Sequence, residues 1–350
     1  VATMMASLQQ AIVVAPADVE RFGKGKKVED LAGRWATNAE AYYWALVTLW
    51  PKMNHGLLAC YHPTGIGHHL RDYFVRHKVF HFWVTCEAVA DQKVSHYQNE
   101  MIMLERILET APVNIPVIGW WGSGVDLGAN EYGGVGEAGE YGKFTVACDI
   151  ASNLSLLGGV PVDLDTAVRD YRQRISRPAP ELSDDKIYIA FNIVEAGDSP
   201  SYLQNRQFEV WDDTRRGEVP INWAMGVGAM ELEPPVVEYY LNQATPNDYI
   251  YVAMSGVGYC HPYRYMNVKT SDPETAWKGF LDLTNLYMRR LGCHEMGIYT
   301  GPWAPYDREK RDPVTIRFVR GIPELQTIVS GMGRDEGLDS DNANFVLDGH

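Results

Sequence analysis

The sequence predicts an α/β fold, with a smaller N-terminal α/β domain followed by a (β/α) barrel-like C-terminal domain. Short runs of β-branched and aromatic residues alternate with helical patterns along nearly the whole chain, and the unit repeats about every 25–35 residues, close to one βα step. A proline-containing stretch interrupts this alternation near residue 178. In the second half, polar residues gather just after the predicted strands, which is where barrel enzymes carry their active sites.

The predicted first domain, residues 1–178, alternates strands with helices. Strands are predicted at 11–15, 56–61, 79–85, 115–120 and 143–148, and helices at 38–49, 68–76, 95–110 and 164–175. The glycine-rich passage 119–142 is predicted as a loop that either approaches a ligand or simply connects two elements.

The predicted second domain, residues 179–350, begins with a continuous apolar run at 187–194. Such a run is typical of a strand that is buried on both faces of a parallel sheet. Further strands are predicted at 221–227, 249–254, 295–300, 315–319 and 345–347, and helices at 202–210, 235–243 and 275–291. Because the chain stops just after the last run, we expect it to be part of a longer protein.

The composition excludes several classes of protein. The 350 residues include 31 Lys and Arg against 45 Asp and Glu, and the net charge of −14 argues against nucleic-acid binding, which needs a basic surface. No run reaches the roughly 20 apolar residues of a membrane-spanning helix. Five cysteines without a CxxC pair predict free thiols. The 20 Tyr and 10 Trp suit either a core or half-buried positions against a wet ligand.

Two carboxylates follow the predicted strand 187–194. Glu195 and Asp198 flank Gly197, and acid/base catalysis at the end of a buried strand needs groups of this kind. In the alternative interpretation this is an ordinary loop, in which Asp198 or Ser199 caps the next helix.

A second polar loop, at 211–217, combines Trp211, Asp213 and Arg216. These residues predict a ligand clamp in which the arginine orients a carboxylate and the indole stacks on an apolar face. The charge pattern by itself favours the alternative, a solvated surface turn.

The most specific motif is SGVGYCHP at 255–262, directly after a predicted strand. Gly256 and Gly258 allow a tight turn, and Tyr259 and His261 project a phenol and an imidazole. The motif is not a dinucleotide fingerprint, because His261 replaces the third glycine, and it lacks the lysine of a P-loop.

These residues resemble the GxGYxYP motif, which names a family classed with the glycoside hydrolases and found mainly in secreted bacterial polysaccharide-utilising proteins. The segments 216–223 and 232–249 are also similar to this family, and 140–155 is similar to its accompanying N-terminal domain. Two departures stand out. His261 replaces a tyrosine and introduces a group that titrates near neutral pH. The sequence AGDS replaces a DGDN-like stretch and keeps only the second acid, Asp198.

The resemblance implies a glycoside hydrolase that acts on a poly- or oligosaccharide through carboxylate acid/base chemistry, in an extracellular or periplasmic location. It assigns the acid/base or nucleophile role to Asp198. The second carboxylate stays open among Glu195, Asp213, Glu231 and Asp348, of which Asp348 is also a candidate substrate-binding residue. Sugar rings would stack on Trp211, Trp223 and Tyr259, and Arg216, Ser255 and His261 would bind hydroxyls or an acidic substituent.

Two alternatives belong to other functional classes. The altered acidic stretch fits a non-catalytic glycan-binding protein on a degenerate hydrolase scaffold. A carbohydrate esterase or deacetylase would use His261, or the pair His68 and His69, as a base or ligand. Because the HExxH spacing is missing, no metal is predicted, and no cofactor is predicted either. The expected partner is a carbohydrate, preferably neutral given the acidic chain, and the oligomeric state is left open.

Overall fold

Two parallel β-sheets organise the chain. The computed structural model describes residues 1–62, 68–86, 97–122, 131–178, 181, 183–193, 199–269, 272–299 and 308–330. Within these ranges one sheet has four strands and the other has five, and all strand pairs within them are parallel. The predicted α/β class is therefore confirmed. In the same ranges, no helix combines the length and apolar character that crossing a bilayer requires.

The first sheet consists of β1 (Asn54–Cys60), β2 (Val79–Phe82), β3 (Ile115–Gly119) and β4 (Lys143–Val146), in the order β2-β1-β3-β4. Short 3₁₀ helices lie at Pro16–Asp18, Trp50–Lys52 and His68–Leu70. The α-helices of this half of the chain are α1 (Ala2–Gln9), α2 (Val19–Phe22), α3 (Asn38–Thr48), α4 (Arg71–His77), α5 (Tyr97–Thr110), α6 (Glu131–Glu140), α7 (Leu154–Leu157) and α8 (Leu164–Ile175).

The second sheet follows the chain order, β5-β6-β7-β8-β9, which is the arrangement of a half-barrel. Its strands are β5 (Asn192–Ile193), β6 (Ile221–Met225), β7 (Asp248–Val252), β8 (Glu295–Ile298) and β9 (Thr327–Ser330). The helices are α9 (Ser201–Gln204), α10 (Arg206–Trp211), α11 (Ala229–Leu232), α12 (Pro234–Gln243), α13 (Pro262–Tyr265), α14 (Pro273–Leu291) and α15 (Arg308–Gly321). The described strands do not close into a full barrel.

Helix α14 illustrates how local sequence sets the limits of an element. The Asp272 side chain accepts a hydrogen bond from the Thr275 backbone N–H at 2.8 Å, so it caps the first turn, and Pro273 occupies the first helical position. The helix ends at Gly292, whose φ of 70° suits a glycine. The predicted helix 275–291 is thus confirmed.

The two sheets are packed against each other through a common core. Phe144 of β4 contacts Phe280 of α14, with ring centroids 6.2 Å apart. Thr145 and Tyr259 exchange two backbone hydrogen bonds, of 2.7 and 2.8 Å, in an antiparallel bridge. The loop after β7 is therefore attached to the edge strand of the first sheet. The predicted division into domains 1–178 and 179–350 falls between the sheets and stays a prediction.

The strand predicted at 315–319 is wrong, because these residues lie within α15. Val314, Phe318 and Ile322 are all buried and recur every four residues, which is the spacing of a helix face. Burial at helical spacing therefore outweighed the β-propensity of the segment.

The doubly buried strand predicted at 187–194 is also wrong. Among the described residues of this run, 187–193, Asn192–Ile193 alone forms a strand, β5, and Ile187 and Ile189 are 91% and 73% exposed. β5 is an edge strand, so within the described residues it pairs with β6 alone. The predicted strand 11–15 does not form either, and Ile12 is exposed. The strand predicted at 345–347 lies outside the described residues.

Candidate functional site

The loop after β7 carries the motif to the carboxyl edge of the second sheet. Gly256 has a φ of 105°, and a Cβ at this position would lie 2.6 Å from Thr284 Oγ1. A Cβ at Gly258 would lie 2.4 Å from a ring carbon of Phe144. Both glycines are therefore required for close packing, and Gly256 is also required for its backbone conformation.

Ser255 has a structural role in this loop. Its side chain is fully buried, and its hydroxyl accepts a hydrogen bond from the Tyr299 backbone N–H at 3.1 Å and donates to the Cys260 carbonyl at 3.2 Å. Ser255 thus ties the motif to the end of β8. Its predicted role in substrate binding stays a prediction, although its buried hydroxyl already bonds within the protein.

Tyr259 joins the two halves of the molecule through its side chain as well as its backbone. Its buried hydroxyl donates a 2.6 Å hydrogen bond to Oε1 of Glu131, the first residue of α6. Burial and the nearby Glu131 charge raise the pKa of Tyr259 far above its usual value, so the phenol remains a hydrogen-bond donor. Glu131 is half-buried, and this bond fixes one of its carboxylate oxygens.

His261 does not titrate near neutral pH as the sequence predicted. Its ring is buried, and burial, followed by the charge of Arg264, lowers its pKa from 6.5 to about 4. The imidazole is therefore neutral at physiological pH. It extends an aromatic cluster in this region.

Four rings form this aromatic cluster: Tyr132, Tyr259, His261 and Tyr299. Ring centroids within it are 5.7–6.5 Å apart. Tyr259, His261 and Tyr299 are buried, whereas Tyr132 is 42% exposed. Tyr132, which follows Glu131 in α6, is therefore the member that presents ring surface to solvent.

The glycines of α6 explain how this helix reaches the motif. A Cβ at Gly134 would lie 2.1 Å from the Trp121 ring, and one at Gly136 would lie 3.0 Å from the Arg264 guanidinium. The passage 119–142 was predicted as a loop, but its second half is a helix whose missing side chains permit this close approach. The sequence signal for the site in this passage is an acid followed by an aromatic residue, Glu131 and Tyr132, at the start of α6, and the sequence analysis did not identify it.

A third feature of this edge is Asp149, just after β4. Its carboxylate accepts a hydrogen bond from Ser201 Oγ at 3.3 Å, and burial raises its pKa above the usual range of an aspartate. A small cavity of about 10 Å³, room for about one water molecule, lies at the adjacent seam between the sheets. Its lining includes Thr145, Ser199, Gly226, Gly258 and Tyr259.

Three predicted substrate-binding residues lie at the opposite edge. Asp248 begins β7, and its carboxylate accepts hydrogen bonds from Arg216 at 2.5 Å and from Trp223 Nε1 at 2.9 Å. The Arg216 guanidinium lies 4.2 Å from the centroid of the Trp211 ring, and both indoles are fully buried. These contacts hold the amino edge together, away from the motif, and the predicted contact of Trp211, Trp223 and Arg216 with sugar stays a prediction.

The remaining predicted residues are separated from the motif or lie outside the described ranges. Asp213 is exposed in the turn before β6, also at the amino edge, and pairs with Arg215 at 3.7 Å. Glu231 pairs with Arg290 on the surface at 2.5 Å. Within the described ranges, no three His, Cys, Asp or Glu side chains are grouped as a metal site would require. The predicted residues outside these ranges are Glu195, Asp198 and Asp348.

The fold and this site define an α/β protein with parallel sheets and a carboxylate-containing aromatic site at their carboxyl edge. Family models match three successive parts of the chain, described as "GxGYxYP_N second domain" at residues 1–53, "GxGYxYP third domain" at 55–159 and "GxGYxYP putative glycoside hydrolase C-terminal domain" at 185–343. The chain belongs to the GxGYxYP family.

Among solved structures, the chain is similar to the crystal structure of a "putative hydrolase" from Bacteroides thetaiotaomicron VPI-5482, with 20% sequence identity and a TM-score of 0.71. The similarity covers 95% of this chain and 57% of that protein, so this chain spans a little over half of its length. At this identity the likeness concerns the fold. No curated protein matches the chain.

Proposed function

We propose that this protein is a glycoside hydrolase that cleaves a poly- or oligosaccharide at the carboxyl edge of its two sheets. The observation that carries the proposal is the hydrogen bond from Tyr259 to Glu131, because it holds a carboxylate of the first half of the chain against the family motif in the second half. The family description and the hydrolase description of the similar structure support the same reaction class.

The chemistry of the site suits this reaction. Glycosidic bonds are usually hydrolysed by two carboxylates, one acting as an acid and the other as a nucleophile or base. Glu131, oriented by the Tyr259 hydroxyl, is our candidate for the nucleophile or base. Tyr132 follows Glu131 in α6, and its exposed ring can stack on the apolar face of a sugar. Asp198 and Glu195 stay sequence-based candidates for a catalytic carboxylate.

We also infer that the five-stranded sheet is part of a (β/α) barrel-like domain. Its strands are all parallel and follow one another in chain order, with helices between them, and barrel enzymes bind substrate at the carboxyl edge. The net charge of −14 favours a neutral glycan, and a polysaccharide substrate suits an extracellular or periplasmic location.

Release of reducing ends from a panel of neutral polysaccharides tests the proposal. Glu131→Gln keeps the shape of the side chain and removes its charge, and we expect turnover to fall by about 10²–10⁴-fold. Tyr259→Phe, which removes the orienting hydroxyl, should have a smaller effect of the same sign. Glu209→Gln on the exposed surface of α10 is the matched control.

One result would contradict the role of Glu131, and two would contradict the proposed hydrolysis itself. Unchanged turnover in Glu131→Gln would remove Glu131 from the mechanism. Binding of a glycan without turnover would instead indicate a glycan-binding protein. Release of acetate without new reducing ends would indicate an esterase.

A further inference from the structure

Asp149 and Glu131 share one edge of the first sheet. Glu131 follows β3 and Asp149 follows β4, and these two strands are parallel neighbours. The Glu131 carboxylate accepts a hydrogen bond from Tyr259, whose backbone pairs with Thr145 of β4, and Asp149 follows the end of β4, so both residues lie at the carboxyl end of this strand.

The loop that carries Asp149 is held in place by the second half of the chain. The Ser201 backbone N–H donates to the Ala147 carbonyl at 3.2 Å, and the Gln204 side chain accepts from the Ser152 N–H at 2.7 Å and donates to its carbonyl at 3.1 Å. Ser201 Oγ also contacts the Asp149 carboxylate. Helix α9 therefore fixes the segment on both sides of Asp149.

The surroundings of Asp149 favour a protonated carboxyl. Asp149 is half-buried, and burial raises its pKa, although backbone and Ser201 hydrogen bonds oppose the shift. Among the residues that the structure describes, no Lys or Arg lies within ion-pair distance of it. By contrast, the exposed Asp170 pairs with Arg169 at 3.1 Å. A carboxyl that retains its proton is what a general acid requires.

We propose that Asp149 is the general acid of this site, so that the two catalytic carboxylates come from the first sheet and the motif of the second sheet orients one of them. This assignment rests on the proposed glycoside hydrolysis. The Asp149 proton moves to the glycosidic oxygen as the bond from the anomeric carbon to that oxygen breaks, and the leaving sugar departs as an alcohol. One water supplies the new hydroxyl of the anomeric carbon, and its remaining proton restores Asp149.

Leaving-group dependence tests the role of Asp149. The dinitrophenolate of a dinitrophenyl glycoside is a good leaving group without protonation. The alkoxide that leaves from an alkyl glycoside or from the polysaccharide must be protonated as it leaves. In Asp149→Asn we expect kcat/KM to fall by about 10²–10⁴-fold on the polysaccharide and by less than about tenfold on the dinitrophenyl glycoside of the same sugar. The wild-type rate should fall as pH rises through the pKa of Asp149, since only the protonated form donates, and this limb should vanish in the variant.

Asp149→Glu and Asp170→Asn complete the experiment. Asp149→Glu keeps a titrating acid and should restore both the high-pH limb and part of the activity on poor leaving groups, whereas Asp170→Asn should match the wild type. Equal losses on both substrates in Asp149→Asn, or no loss on either, would overturn the role of Asp149 alone. Absence of wild-type activity on every glycan would instead overturn the proposed hydrolysis, and this assignment with it.

Discussion

The amino and carboxyl edges of the second sheet carry similar residue types but differ in how their polar groups are paired. At the amino edge, Arg216 and Trp223 both donate hydrogen bonds to Asp248, and all three side chains are largely buried. At the carboxyl edge, Glu131 is half-buried and Tyr132 presents a ring to solvent. Aromatic and charged residues close together in sequence therefore indicate a ligand site only when the fold leaves some of their surface accessible.

The largest effect on stability is expected at the amino edge. Asp248→Ala removes the acceptor for the Arg216 guanidinium, the Trp223 N–H and the Thr245 N–H, and of these donors the Trp223 N–H is left fully buried. We expect the free energy of unfolding to fall by about 3–5 kcal/mol, measured by urea denaturation. The exposed Asp212→Ala is the control, and a loss of under about 1 kcal/mol in Asp248→Ala would show that this network is not structural.

The carboxyl edge should instead respond to pH through His261. The unfolded chain binds a proton near pH 6.5, whereas the folded protein binds it near pH 4, so stability falls as pH decreases between these values. The lowered pKa of His261 therefore contributes ~3 kcal/mol to the free energy of unfolding at neutral pH, and this contribution is lost as the pH falls toward 4. In His261→Phe this part of the pH dependence should be missing from unfolding curves recorded between pH 7 and 4. Parallel curves for the variant and the wild type would contradict a neutral buried imidazole.

Two substitutions in α6 test how the candidate site is positioned. In Gly134→Ala the new Cβ would meet the buried Trp121 ring, and we expect a loss of about 1–3 kcal/mol together with a raised KM, since Glu131 and Tyr132 begin the same helix.

The matched change in this helix is Gly139→Ala. Its Cβ would have an ordinary 3.7 Å contact with the His261 carbonyl, so the variant should be as stable as the wild type or more stable. Thermal unfolding and steady-state kinetics measure both variants. Equal behaviour of the two would mean that close packing of α6 does not position the site.

The smallest effect is expected for Asp213→Asn at the amino edge. Its carboxylate is exposed and pairs with Arg215 at 3.7 Å, and exposed pairs of this kind contribute about 0–1 kcal/mol. Unfolding free energy and turnover should both remain close to wild type. A large loss of turnover would restore Asp213 as a catalytic residue and would abolish the distinction between the two edges.

Elements with strong local signals could be predicted from the sequence. The predicted helix 164–175 coincides with α8, which begins at the cap residue Asp163, and the strand predicted at 221–227 contains β6. The segment 315–319 was predicted as a strand because its composition suits one, although the burial of Val314 and Phe318 four residues apart belongs to a helix. Propensity is a local property, whereas burial depends on what packs against the segment.

The candidate site could be predicted only in part, for the same reason. The motif and its glycines located Tyr259 and His261 in the right loop. Glu131 lies 128 residues from Tyr259 in the sequence, and nothing in the local pattern links the two.

The sequence by itself determined the α/β class, the family resemblance and the position of the motif after β7, because these depend on local periodicity and on a short run of residues. The tertiary structure decided which charged and aromatic residues are available to a ligand. It buried Trp211 and Trp223 in the amino edge, made His261 neutral, and brought Glu131 and Tyr132 to the motif through a glycine-rich helix. Exposure, pairing and protonation depend on neighbours that are distant in sequence, and only the folded chain brings them together.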